Sequence, residues 1–340
     1  MNSEIWQQLV SLESRDAVIK WFYKLHKKEL SNRRAIEINS AARQAREYFR
    51  NANDADYTVK PLLTFYGVAS LSRSFILLMK RDGGEETLKV GHGLNTENWA
   101  GILSGNISSG LQKIGELKVK TCGGLFYELI KESKNRICLH TNSSGIDWQL
   151  DYNIPKMKDE ITFADVLSRI PDLKNDIHLI DERRYFRIND LTYTEDKGFS
   201  ARLSNSEIGN KLDRYKENGY SIDVEQNSLR ITCPSDKFKE NLPLFIHSYV
   251  YKMFGSIPSL YIVEPFKNFS SYSQICMTYL VSYYLGMLVR YFPSYWVSLI
   301  TGAIGDKAWP VINRAQHYVE TIYPELVIEF IRNEIDKAEK

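Results

Sequence analysis

Cysteine is scarce in this chain, with four in 340 residues. Cys122, Cys138, Cys233 and Cys276 share no CxxC spacing, and His140, two residues after Cys138, has no second pair to complete a zinc site. A disulfide scaffold and a zinc ribbon are therefore not expected, and neither is any other metal or cofactor. Sparse thiols in a long chain fit a reducing cytoplasm. An HExxH motif and a paired-carboxylate constellation are also missing. The stretch GNISSG at 105–110 lacks the Gly-Lys-Ser/Thr ending of a phosphate loop and is not a nucleophile elbow. An excess of one charge is absent too: 44 Lys and Arg stand against 42 Asp and Glu, which excludes global attraction to nucleic acid or to a membrane. No internal repeat or low-complexity linker interrupts the chain. The opening MNSEIWQQLVSLESRD has acidic residues and no apolar run, so it does not read as a signal peptide. Residues 268–289 carry no charge, yet they hold four serines, four tyrosines, Gln274 and Thr278. That composition suits a buried helix better than a membrane span.

What is present is enough apolar material for a large core, 43% of residues, with 21 tyrosines among the aromatics. The patterning predicts an α+β protein. Residues 1–84 read as a helical segment, 85–265 as a strand-rich middle, and 266–340 as a second helical segment. Ser31 or Asn32 caps a helix running to about Ala52, and Pro61 opens the next, PLLTFYGVASLSRSFILLM, apolar nearly all round. Gly67 within it suggests close approach of another backbone, and Gly83-Gly84 an end. In the middle, 88–90, 117–120, 125–130, 136–140, 185–188 and 199–203 read as strands. Residues 205–217 read as a helix, followed by a 220–224/228–232 hairpin. A short helix is expected through Trp99 and Ile102. Late in the chain an apolar helix ends at Arg290-Tyr291-Phe292, Pro293 starts another, and helices follow over 308–321 and 325–338. The two nearly all-round apolar helices, 62–79 and 272–289, each need burial, and packing them together satisfies both. The N- and C-terminal helices are thus expected to form one helical core, with the strand-rich middle as an insertion or second lobe.

The run QAREYFRNA (44–52), then PLLTFYGVASLSRSFILLM (61–79), GHGL (91–94) and LVRYFPSYW (288–296), resembles the YaaC-like family of bacterial proteins. The resemblance covers both ends of the chain and is thin across 140–240. It implies a fold and a cytoplasmic location rather than a reaction. The helical part is similar to HEPN-like domains, many of which are RNases of defence and toxin systems. Such RNases place a His after an Arg with four to six residues between them. Here Arg136 and His140 are separated by three residues and Arg314 and His317 by two, so the motif is absent.

Arg290, Arg73, His92 and Trp296 are candidates for a ligand or phosphate site. Arg290 closes the uncharged stretch beside Tyr291 and near Trp296, an aromatic setting for a guanidinium that binds phosphate or carboxylate, or for a helix-end arginine stacked on Trp296. His92 sits between two glycines, where a ligand can approach the backbone. Arg73 lies in the buried third helix and needs a partner or a cleft. Asn39, Arg43, Arg46 and Arg50 recur at steps of four, three and four, a stripe that reads either as a nucleic-acid contact or as a solvated face with Glu47 paired to Arg43. The 205–232 helix and hairpin suggest a winged DNA reader without its preceding helix pair.

Three functions follow in order. The first is a non-catalytic interaction or regulatory protein, within a bacterial stress or phage-defence system, with a protein partner, and with nucleic acid binding and self-association left open. The missing catalytic motifs and abundant tyrosines favour it. The second is an enzyme acting on RNA or a nucleotide, with Arg290, Arg73 and His92 converging in one cleft. The third is a DNA-binding module through 205–232.

Overall fold

The computed structural model describes residues 3–137, 150–203, 213–217, 219–226, 228–238, 248–251, 259–302 and 306–339. In chain order the helical start comprises α1 (Ser3–Leu9), α2 (Arg15–His26), α3 (Asn32–Asp54) and α4 (Lys60–Met79). The middle holds β1 (Leu94–Glu97), α5 (Trp99–Ile102), α6 (Ile107–Gln112), β2 (Lys118–Thr121), α7 (Leu125–Glu132), β3 (Glu160–Thr162) and α8 (Phe163–Leu167). It continues through β4 (Tyr185–Thr194), β5 (Gly198–Leu203), α9 (Asp213–Lys216), β6 (Ser221–Val224), β7 (Leu229–Cys233), β8 (Ser248–Tyr251) and β9 (Ser259–Val263). Three helices close the chain: α10 (Gln274–Tyr291), α11 (Pro293–Ile300) and α12 (Trp309–Glu339).

Local chemistry sets the helix starts. The Ser31 hydroxyl accepts from the Arg34 N–H at the head of α3, and Pro61 sits in the first turn of α4, where its missing N–H costs least. The apolar helices meet as expected: α4 packs on α10, and both pack on α12. By length and composition α4 could cross a membrane, but it is mostly buried within the protein. At the α4–α10 crossing Gly286 is required, since a Cβ there would lie 2.7 Å from Phe65 Cβ. Gly67 has a different reason from the one expected. No second backbone presses on it; the ring of Phe49 does, 2.7 Å from where a Cβ would stand.

The middle contains two antiparallel sheets. One is β1-β2-β3, with Leu94 opposite Thr121; the other runs β6-β7-β5-β4-β9-β8. The 185–188/199–203 pair and the 220–232 hairpin form as predicted, with Asp223 opposite Arg230. Several predictions need correction. Residues 125–130 are helix α7, because Leu125, Phe126, Leu129 and Ile130 form a buried stripe at helical spacing. Residues 88–90 are in no strand, and Val90 projects from the surface, 98% exposed. Of 136–140, Arg136 forms only an isolated bridge to Asp151, and 138–140 lie outside the described residues. The helices expected at 308–321 and 325–338 are one, α12, with buried Pro324 inside it. A mid-helix proline costs about 3 kcal/mol. Here buried apolar residues on both sides of it, Tyr318, Val319, Ile322 and Tyr323 before and Leu326, Val327, Ile328, Phe330 and Ile331 after, hold the helix together.

The tyrosines of α10 and α11 join the helical core to the middle region. The hydroxyl of Tyr279 donates to the His92 carbonyl at 3.1 Å, Tyr283 to Leu94 at 2.9 Å, Tyr284 to Ile161 and Tyr295 to Leu103. Each satisfies a main-chain acceptor at the edge of the core while its ring packs inside. Lower down, the buried Arg136 guanidinium spans Asp151 and, at 3.2 Å, Glu334 of α12. Buried residues from all three segments form one continuous apolar cluster.

Candidate functional site

Residues seven apart on a helix share a face two turns along. Tyr66 and Arg73 stand in that relation on α4, and Tyr283 and Arg290 on α10. The loop entering β1 brings His92 against the seam between the two helices. Its path depends on glycines: Gly91 and Gly93 have φ of 100° and 80°, a region that disfavours side chains. A Cβ on Gly93 would lie 2.8 Å from the Phe126 nitrogen, so the turn is pressed against the start of α7. The His92 carbonyl accepts from the Phe126 N–H at 3.0 Å as well as from Tyr279. The peptide is thereby held from two sides. The ring packs edge-on to Phe65 at 4.9 Å and to Tyr283 at 6.1 Å. Neither ring nitrogen makes a hydrogen bond among the described residues.

The electrostatics of this face are cationic. Burial lowers the His92 pKa from its ordinary 6.5, and the charges of Arg290 and then Arg73 lower it further. The imidazole is therefore neutral at neutral pH, with one nitrogen a donor and the other an acceptor. Arg290 is exposed; it donates to the Tyr66 hydroxyl at 3.0 Å and lies over the Tyr291 ring, 5.1 Å from its centroid. No carboxylate reaches Arg290 among the described residues. Arg73 is also at the surface, facing Glu85 at 3.7 Å with both side chains more than 40% exposed. An ion pair that open contributes little, and Arg73 remains available to a stronger anion.

The other candidates lie elsewhere. Trp296 is fully buried, its indole N–H donating to the Tyr57 carbonyl at 2.8 Å and its ring packed on Trp309. It neither stacks on Arg290 nor lines the face. The arginine stripe of α3 is ion-paired. Glu13 takes Arg46 at 2.7 Å and Arg43 at 3.8 Å, Glu47 pairs with Arg50 rather than Arg43, and Asn39 is buried against the Leu12 carbonyl. The Arg50–Glu47 pair is as open as Arg73–Glu85, so it is the half-buried Glu13 that withdraws Arg43 and Arg46 from a nucleic-acid backbone. In the 205–232 unit, residues 204–212 lie outside the described residues, and β7 is an interior strand of the six-stranded sheet rather than a free wing.

Two cavities lie away from this face. One of ≈ 250 Å³ adjoins Arg34, whose guanidinium stacks on Phe22 and donates to the Leu77 and Arg81 carbonyls at the end of α4. The other, of ≈ 810 Å³, lies between α6, α8 and the residues leading into β4 and α12, with Lys118, Arg184, Lys267 and Lys307 against Glu116, Asp165, Asp181 and Asp306. Its charges balance. The face around His92 is different, because two guanidiniums there are opposed, among the described residues, only by exposed Glu85. Tyr66 and Tyr283, which complete it, escaped the sequence reading. Their spacing of seven from each arginine was the available signal.

Such a face, on an α+β protein with a helical core, is suited to holding an anion. The chain belongs to the YaaC-like protein family, whose model matches residues 8–331. No curated protein matches it, and no solved structure does.

Proposed function

We propose that this chain is a non-catalytic recognition protein of the bacterial cytoplasm and that the Arg73–His92–Arg290 face takes a phosphate-bearing ligand. One observation carries the reading: the Arg290 guanidinium is exposed and has no carboxylate partner among the described residues, beside a neutral histidine whose ring nitrogens are also unpaired. Arginine presents a planar fork of donors that matches phosphate oxygens, and a neutral imidazole adds one more donor without needing a counter-charge. The tyrosine content supports an interaction surface less than its abundance suggests, since most of the described tyrosines are inside. The exposed cations carry the argument instead.

The test is a titration of the protein with inorganic phosphate against chloride at equal ionic strength, read by the His92 ring resonances and by thermal stability. Phosphate shifts the resonances and raises the melting temperature, and Arg290→Gln abolishes both effects. If phosphate and chloride act alike on the wild-type protein, the reading fails.

A second reading has one observation in its favour. A neutral histidine between two arginines can serve as a general base on a phosphodiester. Against it, no carboxylate orients the His92 ring among the described residues. Cleavage of single-stranded RNA by the wild-type protein but not by His92→Gln would establish this enzyme reading and displace the non-catalytic one.

A further inference from the structure

We infer that the ligand of the Arg73–His92–Arg290 face is a nucleoside phosphate unit, its base stacked on Tyr291 and its phosphate held by the two arginines. The inference rests on the phosphate reading and names what the rest of the ligand is.

The observation behind it is the placement of Tyr291. The tyrosines of α10 before it, at 279, 283 and 284, are buried and spend their hydroxyls on main-chain carbonyls. Tyr291, the last residue of the helix, is 56% exposed, and no hydrogen bond ties its hydroxyl down among the described residues. Its ring lies beside the Arg290 guanidinium, so an aromatic plane and a cationic plane are offered together at the surface. A bare phosphate has no use for such surface. A nucleobase has, because it stacks on tyrosine and on guanidinium planes alike while its phosphate takes the arginines. With Arg73 and Arg290 as its cations, this face is short of the run of basic residues that an anionic lipid surface requires. The edge strand β1 follows the His92 turn and could pair with a phosphopeptide, so O-phosphoserine is tested beside the nucleotide.

The chemistry is shared by a free mononucleotide and by a single-stranded nucleic acid. Four probes separate the possibilities: inorganic phosphate, O-phosphoserine, AMP and a single-stranded oligodeoxyadenylate, each measured by calorimetry on the full chain and on the Tyr291→Ala, Tyr291→Trp and Arg290→Gln variants. AMP is expected to bind about 5- to 150-fold more tightly than phosphate, the range a stacked base supplies. Tyr291→Ala should remove that increment while leaving phosphate binding intact, and Tyr291→Trp should restore it. Tighter binding of the oligonucleotide than of AMP assigns the base to a polymer; equal or weaker binding assigns it to a free nucleotide. If AMP binds no better than phosphate or O-phosphoserine, the inference is overturned and the phosphate reading stands. If no probe binds, or Arg290→Gln binds them all as the wild type does, both fall.

Discussion

The Arg290 guanidinium donates to the Tyr66 hydroxyl at 3.0 Å, and this bond ties the last turn of α10 to the early part of α4. The Arg290 charge disfavours protonation of the His92 imidazole. Arg290→Met should therefore move the His92 titration midpoint upward, toward 6.5, and Arg73→Met should do so by less, since its charge is the smaller influence. Two-dimensional NMR of the imidazole protons measures both. A midpoint unchanged in Arg290→Met would separate the two side chains and dismantle the site.

The same histidine links stability to pH. Its folded-state pKa lies below the unfolded value of 6.5, chiefly through burial. Below 6.5 the unfolded chain takes up a proton that the folded one resists, so stability falls as pH drops from 6.5 toward the folded pKa. His92→Phe should flatten that part of the curve, as measured by urea unfolding at several pH values.

Glu334 acts in a lower window. Burial alone would raise its pKa, but the hydrogen bond and charge of Lys134, with Arg136 and Lys337, outweigh burial and hold it below 4.5. The stability it contributes is present above its unfolded pKa and is lost as pH falls through the folded value. Glu334→Gln should remove this acid-side loss. It should also destabilise the protein by about 3 kcal/mol at neutral pH, because the buried Arg136 loses a charged partner. Chemical unfolding at neutral and acidic pH decides it.

Gly286 allows the two apolar helices to approach. A Cβ there meets Phe65 at 2.7 Å, so Gly286→Ala should destabilise by about 1–3 kcal/mol. A solvent-exposed helix would gain about 1 kcal/mol from the same change. A rise in stability would show that the crossing is looser than the structure has it.

The tyrosine latch predicts modest, separable losses. Tyr283→Phe should cost about 1 kcal/mol, the net worth of a hydrogen bond to a carbonyl on the edge strand β1, and Tyr284→Phe less, since the Ile161 carbonyl lies in the β2–β3 ladder opposite Val119. Tyr279→Phe should cost less, since the His92 carbonyl keeps the Phe126 N–H. Equilibrium unfolding of the three variants ranks them.

The helices at both ends were legible because caps, proline positions and apolar periodicity are local signals. Ser31, Pro61 and Pro293 mark starts that the structure keeps. The misread segments are those where local signals conflict with burial. Leu125–Glu132 looks like a strand beside a Gly-Gly turn, yet one face of it is buried as a helix. Pro324 looks like a break, yet packing on either side carries α12 through it. At the site, Arg290, Arg73 and His92 could be picked out as polar residues in apolar or glycine-rich settings. Trp296 could not be told from a core tryptophan, because nearness in sequence to an arginine does not say which way an indole points.

By itself, then, the sequence determined that two greasy helices must find each other, since water leaves each no other stable place and their apolar surface runs all the way round. It did not determine which cations stay free. That was decided in three dimensions, where Glu13 takes Arg43 and Arg46 of α3, Tyr57 takes the Trp296 indole, and no carboxylate comes to Arg290 among the described residues. Charge is counted along a chain, but it is neutralised only by what lies within a few ångströms of it, and the fold sets those neighbours.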